Sequence, residues 1–347
     1  MNQITSFGNI KSVQKTTKVI SVGTYLPDEV VKSDDIMSEV HSDEKYGIPV
    51  ELLSRFMGIK ERRMSKPDAK PSDLAIPAAQ QAIDNADINP DDIGLVIFCG
   101  IERDQPEPAT AHTIQNKLGL QAHYAFDISN ACIGFVDGIQ IANKFINSGA
   151  VKNALVVTGE ISTHVTRSVI DELKAGATRE RARNAIGSFS VGDGGGAVIL
   201  GEADPFSFEG FQPFFNTIDS RHIDKCIYKK SGNRISGQMK MKELLDQIIF
   251  MHQQSIKDTL KNLTWNKFDW VISHQTGLKN FLAFADLDGI QEEKMINTYT
   301  NLGNLTTATF AHSWQKLINN GTVKRGDKVG GLFTGSGLTI SQFGIYY

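Results

Sequence analysis

"NKFINSGAVK", residues 143–152, returns as "QKLINNGTVK" at residues 315–324 of this 347-residue chain. Each copy reads as the end of an apolar-periodic helix, a glycine stop, and a lead into a buried strand. The offset between positions 143 and 315 is close to half the chain, and self-similarity at that period reads as an ancient duplication. The chain is therefore expected to form two similar α/β halves joined face to face. Carried back along the same helices, the offset pairs Cys132 of "DISNACIGFVDG" (127–138) with Asn304 of "NLGNLTTATF" (301–310). A reactive and a polar residue thus open the two equivalent helices, whose first turns are expected to point at one central site.

The flanking sequence supports the layering. "KVISVGTYLPDEVV" (18–31) alternates like a strand, and "SDLAIPAAQQAIDNA" (72–86) has helical spacing behind a Ser-Asp cap. Strand-like "DDIGLVIFCG" (91–100), helical "TAHTIQNKLGL" (110–120), strand-like "YAFDIS" (124–129) and "NALVVTGE" (153–160) continue the alternation. After a less regular, strand-rich stretch, helix "MKELLDQIIFMHQQSIKDTLKNL" (241–263) precedes strand "FDWVISH" (268–274), and "TTATFAHSWQKLINNG" (306–321) precedes "KVGGLFTGSG" (328–337). Such alternation is the pattern of α/β layers. It predicts a leader at 1–16, flexible and polar, a first half at 17–200 and a second at 201–347.

Composition narrows the function. With 22% charged residues and a formal net charge of −3, neither nucleic acid nor an anionic membrane is expected as the main partner. No apolar run approaches the roughly 18 residues of a membrane span, and the N-terminus lacks an export signal, so the chain reads as cytoplasmic. Three cysteines without CxxC spacing fit a reducing compartment and offer no cysteine-based zinc site.

A free cysteine ordinarily reads as a small buried hydrophobe, and Cys99 and Cys226 are read so. Cys132 differs because a thiol at a helix start meets unpaired N–H groups and the positive dipole end, which favour the thiolate. His274 ends a second-half strand, where α/β folds present ligand-facing residues. Cys132, His274 and Asn304 are expected to converge.

Together "DISNACIGFVDG", "VGDGGGAVIL", "SHQTGLK", "NLGNLTTATF" and "GLFTGSGLTIS" resemble the motifs of thiolase-fold condensing enzymes of the β-ketoacyl-ACP synthase III, or FabH-like, group. The resemblance runs from about Lys18 to the C-terminus. It implies a five-layered αβαβα thiolase fold, a homodimer, and acyl-CoA or acyl carrier protein thioesters as substrates, with no resident cofactor or metal. It also implies roles: Cys132 as acyl-accepting nucleophile, the backbone N–H groups of Cys132 and Ser336 as oxyanion donors, and His274 and Asn304 as donors to the carbanion. Lys279 and, near the start, Arg62 and Arg63 correspond to a basic substrate rim, and the glycines at 194–196 to a structural turn near the dimer interface.

Three departures bear on the reaction. Gly277 stands where FabH-like proteins carry asparagine, and Leu52 where they carry a tryptophan that stacks on the coenzyme A adenine. Residues 171–190 add a charged helical segment that resembles OleA-like enzymes, which join two acyl chains without loss of carbon dioxide. Those enzymes need a base for the α-proton, a glutamate supplied by the partner subunit, and "QPEPATAHTI" (105–114) places Glu107 there, with Glu102 the poorer match. The expected function is a Claisen condensation of two acyl thioesters through acyl-Cys132. Decarboxylative condensation with malonyl carrier protein, and acyl transfer to a hydroxyl or amine, remain alternatives. A cysteine hydrolase has the same Cys, His, Asn order but leaves the duplication without a place.

Overall fold

The computed structural model describes residues 17–204, 206–231, 234–259 and 267–347. The leader at 1–16 and the last residues of the helix expected over 241–263 lie outside the described residues.

Along the chain, β1 (Thr17–Tyr25) leads into an antiparallel pair, β2 (Glu29–Lys32) and β3 (Glu61–Met64), with α1 (Ser33–Glu39) and α2 (Ser42–Tyr46) between them. Then follow α3 (Pro71–Asp84), β4 (Ile93–Phe98), α4 (Thr110–Lys117), β5 (Tyr124–Asp127), α5 (Gly134–Asn147) and β6 (Asn153–Glu160). Next come α6 (Thr163–Ala175), α7 (Arg179–Ala185) and β7 (Gly194–Glu202). The remainder holds β8 (Gly210–Phe211), β9 (Phe215–Ile218), the hairpin β10 (Cys226–Ser231) and β11 (Arg234–Met239), α8 (Met241–Thr259) and β12 (Trp270–Ser273). It ends with α9 (Leu278–Asp288), α10 (Tyr299–Leu302), α11 (Thr309–Asn319), β13 (Lys328–Gly335) and β14 (Thr339–Tyr346).

Two five-stranded sheets organise these elements. The first runs β1-β7-β6-β4-β5, and the second runs β12-β13-β14 with β8 and β9 both paired to β14. In each sheet a parallel pair, β4 with β6 or β12 with β13, is followed by an antiparallel neighbour, β7 or β14. The repeated sequence falls on matching places, since α5 ends at Asn147 and α11 at Asn319.

One continuous core contains both helices and both sheets: Phe135, Val136 and Ile139 of α5, Phe310 and Trp314 of α11, Val156 and Val198 of the first sheet, Val329 and Phe343 of the second. Their apolar stripes recur at three- and four-residue spacing and face the two sheets at once. Outside the first sheet, Ala75, Ala78 and Ala79 of α3 and Ile114 of α4 pack on Val96 and Ile199. Outside the second, Ile248 of α8 and Phe281 and Phe284 of α9 pack on Leu332 and Ile340. The order α3/α4, sheet, α5/α11, sheet, α8/α9 is the five-layered αβαβα thiolase fold.

The glycines at 194–196 do not form a turn; they are buried in β7. A methyl group on Gly195 would lie 1.9 Å from the Leu74 carbonyl oxygen of α3, and one on Gly196 would lie 2.8 Å from Ala311 of α11. The absent side chains let helices on opposite faces approach the same strand closely.

Candidate active site

Where the two halves meet, a cavity of about 460 Å³ opens between the central helix starts and the second sheet. Its wall includes Cys132, His274, Asn304 and Ser336, so the structure brings together the four central residues expected from the sequence. The rest is largely apolar: Ile48, Leu52, Phe56 and Met57 on one side, Leu244, Leu245 and Ile248 of α8 on the other.

Cys132 lies two residues before α5, directly after Ala131, whose φ of 47° is the left-handed conformation uncommon for a residue with a side chain. Strain of this kind, held by the surrounding fold, turns the chain sharply into the helix. The thiol is not in the depressed state expected of a helix start. Burial pushes it well above the ordinary range, the Cys226 thiol and Glu160 carboxyl add to the effect, and the local backbone hydrogen bond only partly offsets it. Desolvation outweighs the helix end, and the resting group is a thiol.

His274 follows β12, and its backbone N–H donates to the Leu332 carbonyl at 2.9 Å, fixing it beside β13. Burial lowers its imidazole to about 4, so the ring is uncharged at neutral pH, and its Nδ1 has no partner among the described residues. Next to it, Gln275 is structural: its carboxamide donates to the Ile296 carbonyl at 2.6 Å and accepts from the Thr298 N–H at 2.8 Å. Asn304 is held by its N–H donating to the Ser190 carbonyl at 2.8 Å. Its side-chain oxygen accepts the Thr306 N–H at 2.9 Å, which orients the carboxamide and leaves the amide nitrogen as the group available to the cavity. Ser336 follows Gly335, where an added Cβ would sit 3.3 Å from the Ile133 nitrogen. The end of β13 therefore packs against the residue after Cys132.

The weaker expectations separate. Lys279 is exposed and borders the cavity, as do Leu52 and Gly277. Arg62 is no rim residue: it is 1% exposed, its guanidinium donates to the carbonyls of Val31 at 3.2 Å and Phe189 at 2.5 Å, and burial lowers it to about 10. Arg63 likewise donates to the carbonyls of Pro27 and Asp28. Glu107 is exposed between β4 and α4 and does not border the cavity of its own chain. Glu102 approaches the His164 ring, with Oε2 3.4 Å from Nδ1.

Three features had no clear sequence signal. Cys226, set aside as structural, borders the same cavity as Cys132; burial raises it to about 11 and Ser336 hydrogen-bonds it. Arg183 of α7, in the charged segment at 171–190, reaches the wall. Glu160 ends β6 behind Cys132, 3% exposed, accepting the Ile101 N–H at 3.1 Å and the Thr307 hydroxyl.

Burial lifts the Glu160 carboxyl from 4.5 to about 7, against hydrogen bonds from Thr307 and Ile101. The unfolded chain releases this proton near 4.5 and the folded chain near 7. Stability is therefore lost as pH rises through that window, by on the order of 3 kcal/mol for the whole shift. Glu160→Gln removes the titration. The difference in urea-unfolding free energy between wild type and variant is expected to move in the variant's favour by that order from about pH 5 to about pH 8. Parallel stability curves would show the carboxyl to be already ionised at pH 5.

The comparisons with known proteins agree with this geometry. The family model described as 3-oxoacyl-(acyl-carrier-protein) synthase III matches residues 126–212, and that of its C-terminal part matches residues 259–345. A β-ketoacyl-(acyl-carrier-protein) synthase III from Rickettsia rickettsii (strain Sheila Smith) is 30% identical over 331 residues, covering 93% of this chain and 97% of its own. An acyl-CoA:acyl-CoA alkyltransferase from Xanthomonas campestris pv. campestris is 28% identical over 303 residues, 86% of this chain and 89% of its own. A solved cysteine-to-serine variant of Xanthomonas campestris OleA with bound lauric acid and lauroyl-CoA superposes with a TM-score of 0.89 at 25% identity, covering 96% of this chain and 99% of that one.

Proposed function

The chain belongs to the 3-oxoacyl-(acyl-carrier-protein) synthase III family and is a condensing acyltransferase; from that premise we propose that it joins two acyl thioesters through acyl-Cys132 without decarboxylation. The observation that carries this reading is the largely apolar cavity that Cys132, His274, Asn304 and Ser336 all border.

In the first half-reaction the neutral His274 ring takes the Cys132 proton as substrate binds. The sulfur attacks the thioester carbonyl, and the carrier leaves as a thiol with that proton. The oxyanion formed on the way is met by the backbone N–H groups of Cys132 and Ser336. In the second half-reaction a base removes an α-proton from the second thioester. His274 and the Asn304 amide donate to the enolate oxygen, and the new carbon–carbon bond forms as the Cys132 sulfur departs. The product is a β-ketoacyl thioester.

The base is Glu107 of a partner subunit. Two observations support this: Glu107 is exposed yet absent from its own cavity wall, and its loop lies beside β5, the edge strand of the first sheet. Pairing of two β5 edges would form a homodimer that covers both edges and carries each Glu107 toward the other cavity. The acyl donor is a coenzyme A or acyl carrier protein thioester, with Lys279 at the mouth. Three free cysteines fit a cytoplasmic setting, and no described helix is long and apolar enough to cross a membrane.

The test is incubation with lauroyl-CoA alone. A β-ketoacyl thioester is expected, detected as such or as the β-keto acid that its hydrolysis by water gives and the ketone left when that acid loses carbon dioxide, and Glu107→Gln should abolish it while acyl-Cys132 still forms. Product only on addition of a malonyl thioester would establish the decarboxylative reaction instead, and an O-acyl or N-acyl product alone would establish transfer without condensation.

A further inference from the structure

Alternation along the end of β6 turns Gly159 toward α3, and Thr158 and Glu160 toward the start of α11. A Cβ on Gly159 would lie 1.9 Å from the Pro71 carbonyl oxygen, whereas the Thr158 hydroxyl lies 2.6 Å from that of Thr307. The Thr307 hydroxyl also donates to Glu160 Oε1, and the same oxygen accepts the Ile101 N–H at 3.1 Å. One buried carboxyl therefore joins two segments: the turn after Asn304, and the loop between β4 and α4 that carries Glu107. Glu160 does not itself border the cavity.

The turn needs support of this kind. Thr306 has a φ of 50°, a left-handed conformation that a β-branched residue keeps only where its surroundings impose it. Its N–H fixes the Asn304 side-chain oxygen at 2.9 Å, and its hydroxyl, which donates to the Leu305 carbonyl at 2.8 Å, also meets the Glu160 carboxyl. A shift of Thr306 would turn the carboxamide whose nitrogen the cavity receives.

The loop is held differently along its length. Asp104 Oδ1 accepts the Ser72 N–H of α3 at 3.0 Å, and Glu102 approaches His164 of α6, so its middle rests on the first half of the chain. At Ile101, through Glu160 and Thr307, it meets the second half. Satisfying the Thr307 hydroxyl does not account for an acid here, because burying one is costly and Thr158 already supplies a partner. What the carboxyl adds is the link between the two segments.

We propose that Glu160 is a positioning residue for condensation, its carboxyl oxygen setting both the Asn304 turn and the start of the Glu107 loop. With Glu107 acting across the dimer, each Glu160 supports the enolate donor of one site and the base of the other. The proposal rests on those roles of Asn304 and Glu107, and its test separates the two. Two rates are followed with lauroyl-CoA: acylation of Cys132, by intact-protein mass spectrometry, and condensation, by β-ketoacyl product formed per acyl-enzyme. In Glu160→Leu condensation is expected to fall about 10²-fold, the cost of a small misplacement of reacting groups, while acylation changes by a few-fold at most. Thr307→Val, which frees the turn and leaves the Ile101 bond, should lose about tenfold in condensation, the worth of one neutral hydrogen bond. Glu160→Gln retains an acceptor oxygen and should recover most of what Glu160→Leu loses.

Equal losses of acylation and condensation in Glu160→Leu overturn the proposal and make Glu160 a packing residue. A loss in Glu160→Gln as large as in Glu160→Leu also overturns it, because the acceptor oxygen then has no role of its own. So do equal condensation losses in Glu160→Leu and Thr307→Val, since the loop then gains nothing from Glu160. Where Glu160→Leu fails to fold, native condensation in Thr307→Val or a selective loss of condensation in Glu160→Gln is the overturning result. A native protein that acylates but forms no product from lauroyl-CoA alone overturns the non-decarboxylative reading, and the proposal with it.

Discussion

Cys132→Ala is expected to fold normally, to show no acyl adduct by intact-protein mass spectrometry after exposure to lauroyl-CoA, and to lose condensation by at least about 10³-fold. The fold should tolerate the change because the tight packing here is made by neighbours. A Cβ on Gly134 would meet the Cys99 carbonyl oxygen at 3.0 Å, and one on Gly138 would meet the Cys99 sulfur at 2.4 Å. Those close approaches set the start of α5 whatever occupies position 132. On the proposed mechanism the chemistry tolerates nothing, since its covalent intermediate needs the sulfur. An adduct that persists in Cys132→Ala would move the nucleophile elsewhere, and Cys226 is the other thiol on that wall. The same adduct lost in Cys226→Ala would then identify it.

Asn304→Asp should separate the two half-reactions. It retains the oxygen that accepts the Thr306 N–H, so the turn between α10 and α11 survives, but replaces the amide donor that the cavity receives. Acylation of Cys132, which uses backbone donors, is expected to change by a few-fold. Condensation is expected to fall by about 10²–10³, the usual cost of removing one donor from a developing oxyanion. The new carboxylate would add repulsion against the enolate. In a stopped-flow or quench experiment, acyl-enzyme should accumulate in one burst and turn over slowly. Equal loss in both steps would mean that Asn304 acts only by shaping the turn.

The layering and the central constellation were legible in the sequence because both rest on local pattern. The helix-glycine-strand repeat at 143–152 and 315–324 falls on α5 and α11, and the offset that paired Cys132 with Asn304 led to one cavity. What depends on packing was not legible. The ionisation of Cys132 is set by desolvation from both halves, and a helix-start argument considers only its own helix. Arg62 looked like a surface cation in "GIKERR" because sequence does not show that the carbonyls of Val31 and Phe189 surround it. The glycines of β7 looked like a turn because their function, admitting α3 and α11 to opposite faces of one strand, lies at right angles to the chain. Glu160 gave no signal, since a glutamate at the end of a strand is ordinary until Ile101 and Thr307 are found on its carboxyl.

The seam between the two sheets has a consequence for the chain while it is being made. Cys132 leaves the ribosome with the first half, whereas His274, Asn304 and Ser336 belong to the second and follow only after the whole first sheet has been made. Chains can begin to fold as they emerge, so Cys132 is made well before the residues that complete its cavity wall. Until α11 and β13 dock on α5, a nascent or truncated chain has a thiol and nothing to activate it. On the function proposed above, acyl groups are expected to load only once the second half has docked on the first.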